Sequence, residues 1–192
     1  VQAIRAFIAI DIPSHIRRII GNAQSGFKIL GLDAKWVASE NIHLTLKFLG
    51  AIDSTQVSLV GEVLRKSLSH LPRFRVSLGE VGAFPNTSRP RILWIGLEAP
   101  GRIIESLQQV VEEEMFRLGF PRENKSFLPH LTLARIKSNK NTDRLETVAF
   151  AKPEAEPFTV ESVKLYQSQL TPKGSIYTIL QEFPLHMTGA GA

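Results

Sequence analysis

The amino-acid sequence predicts an α+β fold, bilobal and duplicated about a pseudo-twofold, with two antiparallel sheets flanking a central cleft and helices on the outside. Three observations carry the prediction. Segments of strand-like and helix-like patterning alternate along the 192 residues. After a turn-rich stretch, Pro85-Asn86-Thr87-Ser88-Arg89-Pro90, the order of elements begins again. Each half also carries one tetrapeptide in a strand-like setting, His43-Leu44-Thr45-Leu46 and His130-Leu131-Thr132-Leu133. No linker or low-complexity segment separates the halves, so residues 1–192 are expected to form a single domain of two interleaved lobes.

Residues 4–11 are rich in β-branched and aromatic types and stop at Pro13, which predicts a strand. Ser14 is placed to cap a helix, along which Ile16, Ile19, Ile20, Ala23, Phe27 and Leu30 recur at helical spacing until Gly31. A short extended piece at 35–37 precedes a strand over 43–49 that ends at Gly50. Ser54 is placed to cap a second helix with Val57, Val60, Leu64, Leu68 and Leu71 on its apolar face. Residues 74–84 alternate as a strand, and 92–97 form the next strand after the loop. Ile103, Ile104, Leu107, Val110, Val111, Met115 and Leu118 give the clearest helical stripe, closed by Gly119. Another strand covers 127–134, and a polar, weakly helical stretch covers 138–150. Two last strands, 158–170 and 175–185, are joined by the turn Pro172-Lys173-Gly174 as a hairpin, and the tail at 189–192 is expected to fray.

Hydrophobic residues make up 43% and charged residues 21%, which supports a sizeable core and excludes a disordered chain, a collagen-like repeat or a disulfide-stapled miniprotein. The absence of cysteine excludes disulfides, thiolate zinc sites and cysteine nucleophiles. Lys and Arg number 23 against 18 Asp and Glu, a net charge of +5 that permits a polyanionic partner such as RNA without requiring one. No apolar run reaches the ~20 residues of a spanning helix, and no export signal is visible, so a soluble, cytoplasmic protein with no membrane contact is expected.

Residues i and i+2 of a strand share a face, about 6.5–7 Å apart. His43 and Thr45 therefore share one face, with Leu44, Leu46 and Phe48 turned to the core; His130 and Thr132 do the same, with Leu131 and Leu133 buried. A pseudo-twofold would bring both polar faces to one cleft, where two imidazoles and two hydroxyls surround a small group. Histidine titrates near neutrality, so one imidazole can act as base while the other acts as acid. That pairing suits in-line attack at phosphorus, with threonine hydroxyls donating to the non-bridging oxygens as charge builds. Two histidines without Asp, Glu or Cys at ligand spacing make a poor metal site, and no cofactor is expected. A lone His-x-Thr is commonly just a half-buried polar pair; the duplication weighs against that here. His186-Met187-Thr188 is a third such pair, but it lacks the leucines and enters a small-residue tail, so it is set aside as a decoy.

With these motifs the chain resembles the two-histidine phosphoesterase superfamily, and within it the RNA 2′,3′-cyclic phosphodiesterase family, also called 2′-5′ RNA ligase. Arg5-Ala6-Phe7-Ile8-Ala9-Ile10 resembles that family's first strand, and the block from His43 to Gly50 its first motif. Arg91-Ile92-Leu93-Trp94 is similar to its central strand, and the block from Phe127 to Arg135 to its second motif. Leu165-Tyr166-Gln167-Ser168-Gln169-Leu170, with Gly174 and Tyr177, resembles its C-terminal signature. The resemblance implies hydrolysis of an RNA 2′,3′-cyclic phosphate to a 2′-phosphomonoester, with His43 as proton donor to the 3′-oxygen and His130 as the base that activates water. It implies that Thr45, Thr132 and Arg135 hold the phosphate, that tRNA fragments are among the RNA partners, and that the protein is a monomer. With a 5′-hydroxyl in place of water the same chemistry implies ATP-independent 2′-5′ ligation, in keeping with the lack of a P-loop motif.

Two positions depart from the pattern. Leu128 stands where the family often has arginine, and strict alternation turns Arg135 away from His130 unless a bulge follows Leu133. Phe48 and Tyr166 are candidates for stacking on an unpaired base, core packing being the other reading. Trp36 and Trp94 read as core rather than rim, and Arg89 and Arg91 either touch an RNA backbone or decorate a solvated loop. The alternative functional reading is an RNA- or nucleotide-binding module without turnover, which would need no matched acid and base. A metal-dependent hydrolase, a further reading, would be stimulated by divalent ions.

Overall fold

The computed structural model describes residues 3–147, 152–172 and 174–186. β1 (Ile4–Asp11) sends Ala6, Ile8 and Ile10 into the main core and Phe7 and Ala9 to its other face, where they cluster with Tyr166 and Tyr177. α1 (Ser14–Lys28) buries Ile16, Ile20, Gln24 and Phe27 along one stripe. β2 (Ala34–Trp36) and the 3-10 turn Ser39–Asn41 lead into β3 (His43–Ile52). α2 (Ser54–Leu68) and β4 (Phe74–Phe84) follow, then β5 (Ile92–Glu98) and α3 (Ile103–Arg117). The chain closes with β6 (His130–Ile136), β7 (Phe158–Val160), β8 (Ser162–Thr171) and β9 (Gly174–Pro184).

The strands form two antiparallel sheets, one ordered β3-β1-β8-β9 and the other β2-β6-β5-β4-β7. The lobes do not divide at the loop of residues 85–90 as the element order suggested. β4 lies before that loop yet pairs with β5 after it, and β2 crosses over to pair with β6. β8 and β9, from the end of the chain, complete the sheet begun by β1 and β3. The helices cross over too. Gln24 on α1 donates to the Leu133 carbonyl of β6, and Gln108 on α3 reaches the Leu46 carbonyl of β3. Each half therefore braces the motif strand of the other.

Local chemistry corrects several boundaries. Pro13, not Ser14, is the N-cap of α1 and offers no side-chain acceptor. Asp53, not Ser54, caps α2, in a reciprocal box: its Oδ1 accepts from the Gln56 amide at 2.8 Å while Gln56 Oε1 accepts from the Asp53 amide at 3.1 Å. The strand expected over 158–170 is two, because β7 pairs with β4 whereas β8 pairs with β1. The second motif strand starts only at His130 and runs on to Ile136, and the weakly helical stretch is a 3-10 segment, Thr142–Thr147, with 148–150 outside the described residues. β8 and β9 pair up to Thr171 and Gly174 as the hairpin reading requires; Lys173 in its turn, Met187 and Thr188 of the decoy motif, and the tail at 189–192 lie outside the described residues. Among the described residues no helix is long and apolar enough to cross a membrane.

Candidate active site

The two motif strands share more than four letters. Along β3, Asp11 of β1 faces His43, Ala9 faces Thr45, Ile8 faces Lys47 and Phe7 faces Phe48, so Leu46 is an extra residue on that strand. Along β6, Gly96 of β5 faces His130, Trp94 faces Thr132, Leu93 faces Ala134 and Ile92 faces Arg135, so Leu133 is the extra residue. The same bulge falls at the same offset in both strands, and both show the same burial pattern over their first seven residues. β3 and β6 lie against each other, with Cα atoms within 8 Å.

The bulge decides which side chains join the histidines. Phe48, expected in the core, instead returns to the face of His43 and Thr45 and is 57% exposed. Lys47 takes the core side, only 2% exposed, where Nζ donates to Glu112 Oε1 at 2.8 Å and to the Pro121 carbonyl at 2.6 Å. A buried ammonium needs such partners to offset its lost hydration. On β6 the bulge after Leu133 brings Arg135 to the face of His130 and Thr132. Trp94, read as core, lies on that face as well and is only partly buried. Its indole overlies Gly82 of β4, where a Cβ would sit 2.3 Å from Cζ2, so glycine is required there. Trp36 packs against the core, with Lys28 Nζ 5.6 Å from its ring centroid. Arg89 and Arg91 are exposed between β4 and β5.

Each histidine is fixed in the same way. His43 Nδ1 lies 2.7 Å from the Asn41 carbonyl and His130 Nδ1 2.7 Å from the Leu128 carbonyl, two residues back in both cases. A carbonyl only accepts, so Nδ1 carries the proton and Nε2 is the nitrogen left for exchange. Aromatic rings pack around both. His43 lies 4.8 Å from Phe7 and meets Tyr177 edge-on at 5.2 Å, while His130 meets Phe84 edge-on at 5.0 Å and Trp94 at 6.2 Å. Burial in these surroundings pushes both imidazoles below their ordinary pKa; the carbonyl bonds oppose it only in part.

Their charged neighbours differ. At His43 the Asp11 carboxylate opposes the fall and Arg17 adds to it, whereas among the described residues no carboxylate shifts His130. Asp11 accepts from Lys164 Nζ at 2.7 Å and from the Tyr166 hydroxyl, with Arg17 at 3.5 Å. Burial alone would raise its carboxyl, but these partners outweigh it and hold it below the usual range. Burial and the Asp11 bond push the Tyr166 phenol well up. Tyr166 is no platform for a base: it is 7% exposed, and its ring is stacked on Phe7 at 5.2 Å. Asp11 and Arg17 escaped sequence reasoning, although the period Phe7, Ala9, Asp11 on a strand was a readable signal for the first. Among the described residues no three His, Asp or Glu side chains converge as metal ligands.

The profile of the family described as "LigT like Phosphoesterase" matches residues 10–94 and again 95–177, one match to each motif. The RNA 2′,3′-cyclic phosphodiesterase of Methanocaldococcus jannaschii is 36% identical over 183 residues, 93% of this chain and 99% of that one. The enzyme of that name from Methanothermobacter thermautotrophicus is 33% identical over 184 residues, 95% of this chain and 99% of that one. The crystal structure of E. coli LigT complexed with 3′-AMP superposes with a TM-score of 0.81 at 28% identity, covering 96% of this chain and 99% of the other.

Proposed function

The chain belongs to the LigT-like phosphoesterase family, and on that premise we propose that it is an RNA 2′,3′-cyclic phosphodiesterase whose two motif histidines work as acid and base on one phosphorus. The observation that carries this reading is the duplicated lock: two half-buried imidazoles, each with Nδ1 tied to a carbonyl and Nε2 left to exchange a proton. His130, which no carboxylate among the described residues holds protonated, is the base. Its Nε2 takes a proton from water as the water oxygen attacks phosphorus. The bond from phosphorus to O3′ breaks, and His43 Nε2 delivers its proton to that oxygen. The products are a 2′-phosphomonoester and a free 3′-hydroxyl. The Asp11 carboxylate supports the protonated form of His43, which suits the donor role. Thr45, Thr132 and Arg135 share the faces of the histidines and stabilise charge on the non-bridging oxygens. Phe48 is the aromatic side chain open to stack on a base. A 5′-hydroxyl in the place of water turns the same steps into 2′-5′ ligation, with tRNA fragments among the RNAs that fit.

The test is incubation of an oligonucleotide ending in a 2′,3′-cyclic phosphate, with and without EDTA, and identification of the product isomer. A 2′-phosphate, formed equally in EDTA and lost by about 10²–10⁴-fold in either His43→Ala or His130→Ala, is expected. A 3′-phosphate would reverse the bond assignment, and full activity in either variant would remove the histidine from the reaction.

A further inference from the structure

Lys47 is a buried cation that the proposed reaction does not use. It stands four residues after His43 in β3, and the same place in β6, four after His130, is taken by Ala134, which is buried too. The bulge therefore forms without an ammonium at that place. A buried ion pair is seldom the most stable filling for a core, because an apolar pair of the same volume avoids the cost of taking two charges out of water. The lysine calls for a role other than packing.

Its contacts name one. Nζ donates to Glu112 Oε1 on α3 and to the carbonyl of Pro121, in the connection between α3 and β6. The Glu112 side chain is only 12% exposed; its Oε1 also accepts from the Glu123 backbone N–H at 2.9 Å, and Gln108 Nε2 lies 3.5 Å from its other oxygen. Residues 121–126 are exposed, and among the described residues no backbone-to-backbone hydrogen bond ties 121–128. The Arg122 guanidinium meets Glu113 at the surface, a pair of the kind that contributes little. Lys47 and Glu112 thus hold the near end of the connection. Phe127 holds the far end against the core, together with the Leu97 N–H, which donates to the Pro129 carbonyl at 3.0 Å. Leu128, whose carbonyl ties His130 Nδ1, lies between those ends.

The corresponding carbonyl at His43 is fixed by other means. Asn41 sits in the 3-10 turn, where its backbone N–H donates to the Ala38 carbonyl at 2.8 Å and its side chain donates to the Ser175 carbonyl at 2.8 Å. Neither bond passes through Lys47. We propose that Lys47 and Glu112 are positioning residues for His130: from the strand of the first histidine and from α3 they hold the connection whose Leu128 carbonyl fixes the second. The inference rests on the reaction proposed above for its catalytic consequence alone.

The direct readout is the tautomer of each ring, by nitrogen NMR of the whole protein at a pH where both imidazoles are neutral. The variants are Lys47→Met and the double variant Lys47→Met/Glu112→Gln, which leaves no unpaired charge in the core. In either, His130 is expected to lose part of its Nδ1–H form, while His43, on the strand that carries the substitution, keeps its own. The kcat on a nucleoside 2′,3′-cyclic phosphate should fall about tenfold with KM nearly constant, as for a displaced catalytic group. Arg122→Ala, which breaks the exposed tie of the same connection, should leave both rings and kcat unchanged. A change at His43 as large as that at His130 would assign the lysine to the bulge of its own strand. Unchanged rings, whatever the Tm, would leave it a structural residue, and either outcome overturns the link. Should Lys47→Met not fold, the double variant decides. If the unaltered protein hydrolyses no cyclic phosphate, the reaction falls instead, and the tautomers decide the link alone.

Discussion

Asp11 faces His43 across β1 and β3, while Gly96 holds the matching place opposite His130. That exchange distinguishes two imidazoles whose Nδ1 atoms are tied alike, and Arg17 acts on the first of them as well. In the proposed reaction the base must be neutral, so activity is expected to fall as pH drops through the pKa of His130. The acid must be protonated, so activity is expected to fall as pH rises through the pKa of His43. Burial lowers both values, and the bell is therefore displaced to the acid side of pH 6.5. Asp11→Asn removes a charge that raises the pKa of His43. The alkaline limb of kcat should move to lower pH while the acid limb stays, and a profile unchanged on both sides would dismiss Asp11 from this role. At this scale the sequence was legible where residues are neighbours in the chain. His43 and Thr45 lie two residues apart, and their pairing needed only strand geometry. Asp11 lies far from His43 in sequence, and only the register of two strands brings them together.

The bulge sets the composition of the face around each histidine. Simple alternation sent Phe48 inward and Arg135 to the wrong side, because one additional residue in a strand inverts everything after it. Nothing in His43-Leu44-Thr45-Leu46-Lys47-Phe48 marks that inversion except the lysine, which alternation leaves facing away from the core and the bulge buries. The bulge on β6 has a brace. Gln24, 3% exposed on α1, donates from Nε2 to the Val37 carbonyl at 2.9 Å and to the Leu133 carbonyl at 3.0 Å. Gln24→Leu removes both bonds inside the protein and should cost about 1–3 kcal/mol of stability by denaturant titration. Because the same bulge turns Arg135 toward the cleft, the substitution should also raise KM, and its effect should shrink in an Arg135→Ala background. Strictly additive effects in that cycle would separate the brace from the arginine.

Over the whole molecule the two halves are not separable pieces. The duplication was visible in the sequence as a repeated order of elements and a repeated tetrapeptide. The crossing of β2, and the return of β8 and β9 to the first sheet, left no mark there, because long-range pairing carries no local signal. Residues 1–90 alone would present β1 and β3 without Tyr166, Tyr177 and the rest of their sheet, and β4 without its partners. That fragment is expected to lack a cooperative unfolding transition by circular dichroism; a sharp transition would contradict the interleaving. The same arrangement orders events during synthesis. A ribosome delivers His43 and His130 well before Tyr166 and Tyr177, the rings that close the aromatic packing around the first histidine. A nascent chain stalled before its last hairpin emerges therefore holds His43 in an unfinished aromatic wall.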